Sequence, residues 1–165
     1  MAGGYKAGKS ASAYSKRLKK AGSPPQSVIN EKIERFEAPL HRISGYPYTQ
    51  IEGAIRKIMA EHIGPLRTER GIKAGLKKLD RLELSLDQMQ AEDLHELMRT
   101  HETRSLLQVG KMMGNAALFR TESRNKPYHH RLDFPKTDNE KWCGLVVLKK
   151  EKDKITCSFE PVGKR

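Results

Sequence analysis

Apolar residues recur every three or four positions after residue 49, a spacing that predicts amphipathic helices. Thr49 and Glu52 have the spacing of a capping box, in which each side chain bonds a backbone N–H near the other, so we expect a helix to begin there. Its apolar face would consist of Ile51, Ile55, Ile58 and Met59. The Gly64-Pro65 pair would end this helix, because proline cannot continue the helical hydrogen-bond ladder.

The same spacing predicts two further helices. The second begins near Thr68, and a third, longer helix is capped by Ser85 or Asp87 and runs to about Arg124. The apolar face of the second would consist of Ile72, Leu76, Leu79 and Leu82. That of the third would include Leu94, Leu97, Leu106, Leu107, Met112, Met113, Ala116, Ala117 and Phe119. Asn125 follows, and asparagine tolerates the left-handed conformation that is common just past a helix end.

Near the end of the sequence the spacing of apolar residues changes from that of a helix to that of a β-strand. Residues 142–149 have the composition of a strand, residues 154–159 alternate apolar with polar side chains, and Glu151-Lys152-Asp153 connects the two runs. We therefore expect a β-hairpin over residues 142–160. The predicted fold is mainly α: a three-helix antiparallel bundle of the spectrin-repeat kind, with a packed loop and a C-terminal β-hairpin.

The first third of the chain consists of shorter helical stretches separated by runs that contain glycine and proline. Ala7 to Lys20 has helical composition, and the Gly- and Pro-containing run 21–25 ends it. A short helix is expected over 27–36, whereas Gly45-Tyr46-Pro47 favours irregular structure. These patterns divide the chain into a basic helical segment at 1–22, a linker at 23–48 and a helical domain at 49–165.

Charge is concentrated at the N-terminus. The 165 residues carry a formal net charge of +12, and residues 1–20 hold six Lys or Arg side chains and no acid. Such a basic arm favours a solvated or partner-facing helix, and the alternative is a nucleic-acid-binding module. No apolar run reaches the length of a membrane span or of a secretory signal. The two cysteines have no framework spacing, which indicates reduced thiols in the cytoplasm.

Two short motifs resemble known functional patterns but lack a strand or a residue that the pattern requires. Gly3 to Ser10 satisfies the phosphate-loop pattern letter for letter, but no buried strand precedes it, so we interpret the match as chance. His95 and Glu96 suggest a metalloprotease helix, yet the position of the second histidine is occupied by Arg99. No metal site is predicted.

The run from Arg120 to Trp142 is the most unusual part of the sequence. It crowds arginine, histidine and acidic residues beside proline and aromatic residues, a composition typical of a loop that packs polar side chains into a site. One interpretation is a set of internal ion pairs, either Glu122–Arg131 or Arg124–Asp133, that fixes the helix end to the hairpin. The other has His129 and Arg131 reaching toward a ligand on a neighbouring domain, because guanidinium groups bind carboxylates in bidentate fashion.

The order of residues in this loop resembles the C-terminal region of the succinate dehydrogenase and fumarate reductase flavoprotein family, which adenylylsulfate reductase and L-aspartate oxidase share. The resemblance is carried by Arg120, Glu122, Ser123, Arg124, His129, Arg131, Asp133, Phe134, Pro135 and Trp142. Arg67-Thr68 and the segments 93–97 and 116–120 are similar to the family in the same order.

The resemblance implies a role beside a flavin. Gly3 and Gly4 would let the backbone approach FAD at the end of an FAD-binding domain, and His129 and Arg131 would reach the cofactor or substrate. Glu122, Arg124 and Asp133 would be structural, and no residue of this chain is assigned to catalysis.

The family's nucleotide-binding fold and its catalytic residues lie before this region. The chain alone is therefore expected to be inactive and to bind no FAD, as a fragment or as one product of a divided gene. Its expected partners are an FAD-binding polypeptide and an iron–sulfur electron-transfer protein, which could hold it at the inner face of a membrane.

Overall fold

The chain folds into two compact units, Met1–Phe36 and Glu37–Arg165. The computed structural model describes residues 2–18, 23–151 and 154–162. The helices are α1 (Ala2–Arg17), α2 (Gln26–Glu37), α3 (Tyr48–Ile58), α4 (Glu69–Glu83), α5 (Leu94–Phe119) and α6 (Asn139–Trp142). The strands are β1 (Tyr46–Pro47), β2 (Leu66–Arg67), β3 (Met89–Gln90), β4 (His130–Arg131), β5 (Gly144–Glu151) and β6 (Lys154–Pro161).

Helices α3, α4 and α5 pack into the predicted three-helix bundle. Their apolar faces meet in one core, which removes apolar surface from water and supplies most of the stabilisation of such a bundle. The core consists of Ile51, Ile55, Ile63, Leu79, Leu86, Met89 and Leu107. The predicted fold class is confirmed.

The long helix α5 buries one continuous face against the other two helices. Its buried residues are Leu97, Thr100, Thr103, Leu107, Gly110, Gly114 and Ala117, spaced three and four apart. The helices approach closely at glycines: a Cβ on Gly75 of α4 would lie 2.7 Å from the Cβ of His62. His62 belongs to a π-helical turn, Met59–Ile63, that extends α3 before Gly64 ends it.

One predicted helix cap and one predicted helix start are wrong. Helix α3 begins at Tyr48 with Pro47 in the capping position, so Thr49 lies inside the helix and makes no capping bond. Glu52 instead binds Arg56 and Arg99. Helix α5 begins only at Leu94, where the Asp93 side chain accepts a hydrogen bond from the N–H of Glu96.

The start of α4 is as predicted, with the Thr68 hydroxyl accepting from the N–H of Gly71. The expectation for Ser85 and Asp87 fails because residues Leu86–Gln88 form a 3₁₀ turn. Next to that turn, β3 pairs in parallel with β1. Tyr46 and Pro47 therefore form a short strand, and the predicted irregular structure there is wrong.

The C-terminal hairpin forms with an antiparallel register from Gly144↔Pro161 to Glu151↔Lys154. It is shorter at its start than predicted, because Trp142 ends the short helix α6 rather than opening a strand. The predicted connection at 152–153 lies outside the described residues.

The first unit contains α1 and α2. Helix α1 begins at Ala2, so Gly3 and Gly4 lie in its first turn and form neither a glycine-rich turn nor a phosphate loop. Its predicted end at Lys20 lies outside the described residues, and α2 matches the helix expected over 27–36. Within the part of the chain that the structure describes, no helix is both long and apolar enough to cross a bilayer.

Candidate functional site: the polar loop and its pocket

A buried carboxylate lies at the centre of the loop that follows α5. The side chain of Glu122 is fully enclosed and accepts hydrogen bonds from Arg124 Nε at 2.7 Å and from Arg124 Nη2 at 3.0 Å. Arg120 also donates to it, and the backbone N–H of Asp138 donates at 2.8 Å. Burial alone would raise the pKa of Glu122, but these donors lower it below its ordinary value. The carboxylate is therefore ionised and fixes the loop to the start of α6.

Ser123 joins the two arms of the loop. Its Oγ accepts from the N–H of Arg131 at 2.9 Å and donates to the carbonyl of Phe134 at 2.9 Å. Its backbone carbonyl accepts from the Thr137 hydroxyl at 2.7 Å. The side chain is fully buried, so these bonds satisfy a hydroxyl that would otherwise be costly to enclose.

Arg131 and Asp133 connect the ends of two helices. The Arg131 guanidinium is fully enclosed and forms a bidentate pair with Asp133, both distances being 2.8 Å. Its Nη1 also donates to the carbonyl of Ala117 at 2.7 Å, in the last turn of α5. The Asp133 carboxylate accepts from the N–H of Glu69 at 2.7 Å, at the first residue of α4. Each charge thus complements the helix end it contacts.

Arg120 ties the loop to the hairpin. It donates to the carbonyl of Trp142 at 3.1 Å and to that of Gly144 at 2.7 Å. The buried Trp142 ring packs edge-on against Phe119 and Phe159, with ring centroids 5.6 and 5.4 Å away. The hairpin is therefore held to the end of α5 by both a charged and an aromatic contact.

One face of this loop lines a pocket of about 440 Å³, which we call the His129 pocket. Its walls come from β2, α5, the loop and the start of β5. They include Arg67, Met113, Arg120, Arg124, His129 and Leu145. Polar groups and an apolar wall thus face the same space, an arrangement typical of ligand sites and domain contacts.

His129 is half-buried beside this pocket, and its Nε2 atom is enclosed without a hydrogen-bond partner among the described residues. Burial lowers the pKa of His129, and the positive charges of Arg67, Arg120 and Arg131 lower it further. A hydrogen bond to the Arg120 backbone acts in the opposite direction. The imidazole is consequently neutral at pH 7 and still has hydrogen-bonding capacity at Nε2.

The structure groups the predicted site residues differently from the sequence prediction. The predicted pairs Glu122–Arg131 and Arg124–Asp133 are wrong, because the partners are exchanged: Glu122 binds Arg124, and Asp133 binds Arg131. Asn125 is left-handed, with φ of 49°, but it lies in the loop rather than directly after α5. The roles of His129 and Arg131 toward a cofactor stay predictions.

Gly3 and Gly4 lie in the first unit and do not belong to the loop. Apart from the adjacent residues and the backbone of α1 itself, no atom of the described residues lies within 4 Å of the position that a Cβ would take at either glycine. Their backbone is open to the approach of another group, and their proposed contact with a flavin stays a prediction.

The sequence analysis did not identify Arg67 or Arg120 as site residues. Arg120 could have been found from its place in the family-like run. Arg67 belongs to the family-like pair Arg67-Thr68, but nothing in the sequence places it at the loop, because it reaches the pocket only through the parallel pairing of β2 with β4. Within the described residues, no group of three or more His, Cys, Asp or Glu side chains is arranged to hold a metal ion.

Comparison with known proteins gives consistent matches. A family model described as fumarate reductase flavoprotein C-term matches residues 52–165. An uncharacterised FAD-dependent oxidoreductase of Methanocaldococcus jannaschii is 34% identical over 105 residues, which cover 64% of this chain and 19% of that protein. The fumarate reductase flavoprotein subunit of Helicobacter pylori is 27% identical over 143 residues, covering 82% of this chain and 20% of the subunit. The chain thus spans about a fifth of the length of these relatives.

A solved structure shows the same fold. Adenylylsulfate reductase from Archaeoglobus fulgidus superimposes with a TM-score of 0.88 at 24% sequence identity, covering 96% of this chain and 28% of that one. The resemblance predicted from the polar loop is confirmed by the family match over most of the chain. The chain belongs to the family of C-terminal domains of fumarate reductase flavoproteins.

Proposed function

We propose that this chain acts as the C-terminal helical domain of an FAD-dependent oxidoreductase of the succinate dehydrogenase and fumarate reductase type. The observation that carries the proposal is the family match over residues 52–165. Matched relatives are named as FAD-dependent or as flavoproteins, and the chain spans about a fifth of their length. In this proposal the FAD-binding part packs against the chain and holds the cofactor.

The outer face of α5 supports such packing. Val109, Met112 and Met113 expose large apolar side chains there, and Met113 also lines the His129 pocket. Tyr128 stands exposed on the loop at the same pocket. Apolar surface of this kind, bordered by charged groups, is typical of protein contacts.

The site residues receive distinct roles in this proposal. His129, on the pocket wall, contacts the neighbouring domain or its cofactor, and the open backbone at Gly3 and Gly4 receives the cofactor domain. Arg131 is enclosed by its own chain, so we assign it to positioning the loop. FAD supplies the electron-transfer chemistry when it is bound, and the helical domain contributes orientation and electrostatics.

The proposal extends to partners and location. Electrons would pass from the flavin to an iron–sulfur protein, and the chain alone would be inactive. Cys143 and Cys157 are unpaired thiols, which suits a reducing cytoplasm. Partner proteins could hold the assembly at the inner face of a membrane.

The test is isolation of the tagged full chain from a native lysate at low salt. We expect an FAD-binding polypeptide to co-isolate, and Met113→Glu to reduce its recovery because a charge would enter the apolar face of the contact. Leu84→Glu is the matched control, since Leu84 is even more exposed, at 77% against 51% for Met113, but lies away from the pocket. Recovery of nucleic acid without a flavoprotein would contradict the proposal and favour the basic-arm alternative.

A further inference from the structure

Arg67 differs from the other arginines around the His129 pocket. Arg120, Arg124 and Arg131 each form an ion pair, with Glu122 or with Asp133. Among the described residues, no carboxylate lies within ion-pair distance of Arg67. Its Nη2 donates to the carbonyl of Tyr128, and its Nε is enclosed without an acceptor.

A half-buried cation without a counter-charge is energetically unfavourable. Burial lowers the pKa of Arg67, and the charge of Arg131 lowers it further. Three guanidinium groups, those of Arg67, Arg120 and Arg124, line the pocket, and the single carboxylate of Glu122 pairs with the last two. The pocket is therefore electropositive, and the residues that the structure describes supply no anion to balance Arg67.

The remaining walls restrict what would fit. Arg67 provides a cationic side, whereas Met113, Leu145 and Val146 provide an apolar side. A group with a planar anionic end and a short hydrocarbon part matches both, and guanidinium forks suit the two oxygens of a carboxylate.

We propose that the His129 pocket binds a carboxylate group, with Arg67 as its principal contact. The carboxylate belongs either to a free small organic acid or to an Asp or Glu side chain of another polypeptide. The chemistry of recognition is the same for both sources. The inference does not require the proposed function, although that function would supply a polypeptide source.

The test follows the side-chain Nε–H signal of Arg67 in NMR spectra of the full chain. Sodium acetate and sodium succinate are the probes, and sodium chloride at equal ionic strength is the control. We expect the Arg67 signal to shift saturably with the carboxylates and not with chloride. Arg67→Gln should weaken carboxylate binding about tenfold or more. Arg70→Gln, an exposed arginine three positions away that does not line the pocket, should leave binding unchanged.

A second arm separates the two sources. If free carboxylates leave the signal unmoved, the co-isolated FAD-binding polypeptide is added instead, and a shift that Arg67→Gln abolishes assigns the carboxylate to a side chain. If neither addition moves the signal, the proposal is wrong. A chain that still co-isolates a flavoprotein while its Arg67 signal is unresponsive overturns this inference and leaves the proposed function standing.

Thermal unfolding adds an independent readout. Because Arg67 lacks a counter-charge, Arg67→Gln should leave the melting temperature unchanged or raise it, as expected for a residue retained for binding. A lower melting temperature with unaltered carboxylate binding would assign Arg67 a structural role and contradict the proposal.

Discussion

The Arg131 guanidinium and the Asp133 carboxylate form a bidentate pair, at 2.8 Å through each nitrogen, whose two members contact opposite ends of two helices. Arg131 donates to the carbonyl of Ala117 in the last turn of α5, and Asp133 accepts from the N–H of Glu69 at the start of α4. The polar loop thus acts as a clamp that holds the end of α5 to the start of α4. The charges of Arg131 and Asp133 therefore have a structural role.

Removing Arg131 should destabilise the chain strongly. Arg131→Met would leave Asp133 and the helix carbonyls without their donor, and breaking one half of a buried pair typically costs about 3–5 kcal/mol. The free energy of unfolding in urea measures this. Lys73→Met is the control, because Lys73 pairs with Glu69 on the helix surface and should lose less than about 1 kcal/mol. Equal losses for the two variants would contradict the clamp.

The free energy of unfolding should fall at low pH, because the Asp133 carboxylate becomes protonated. The Arg131 hydrogen bond lowers the pKa of Asp133 from 3.8 to about 2, and the N–H of Glu69 contributes as well. Since the folded-state pKa is the lower one, the unfolded chain binds more protons between these values. The associated stability, of order 2 kcal/mol, is present above pH 3.8 and lost toward pH 2.

Urea unfolding of the parent and of Asp133→Asn at a series of pH values checks this assignment. The difference between them should shrink as the pH falls through that window, because the parent then also lacks the charge. A difference that is constant with pH would show that Asp133 is not the titrating group.

Close approach at Gly75 should make that position intolerant of alanine. The added Cβ would lie 2.7 Å from the His62 Cβ and 3.1 Å from Ile63 Cγ1, so Gly75→Ala should cost about 1–3 kcal/mol. Gly53→Ala is the matched control on α3, where no atom lies within 4 Å. It should stabilise the chain by up to about 1 kcal/mol through helix propensity. Thermal unfolding of both variants gives the signs, and a stabilising Gly75→Ala would rule out tight packing there.

The two threonines at predicted helix starts should behave differently. Thr68→Ala removes the bond to the N–H of Gly71 and should cost about 1 kcal/mol. Thr49→Ala removes no capping bond and should change the free energy of unfolding by less than about 0.5 kcal/mol. If urea unfolding shows similar losses of free energy for the two variants, Thr49 caps its helix after all.

Local and non-local structure differ in how well the sequence predicts them. The start of α4 depends only on Thr68 and the residues beside it, so it is correct. The predicted start of α5 is wrong because β3 pairs with β1, 43 residues earlier in the chain, and this pairing keeps Met89 and Gln90 extended. A pattern of apolar spacing contains no information on that contact.

The same distinction applies to the site. The crowding of charges in the loop predicts a packed polar cluster, which the structure contains. The choice of partner depends on the path of the backbone: Ser123 draws the two arms together, and Arg131 then faces Asp133 and the end of α5 rather than Glu122. Arg67 enters the site only through strand pairing, which local sequence does not encode.

If this chain works as part of a flavoprotein, the assembly that it forms must contain FAD. The most direct measurement is the visible absorption spectrum of the assembly isolated with the tagged full chain from native lysate, together with its ratio of FAD to chain. We expect a yellow assembly that contains one FAD per chain. A partner polypeptide in this assembly should provide the FAD-binding fold. A colourless assembly that contains no flavin, or one whose absorbance is that of bound nucleic acid, would contradict it.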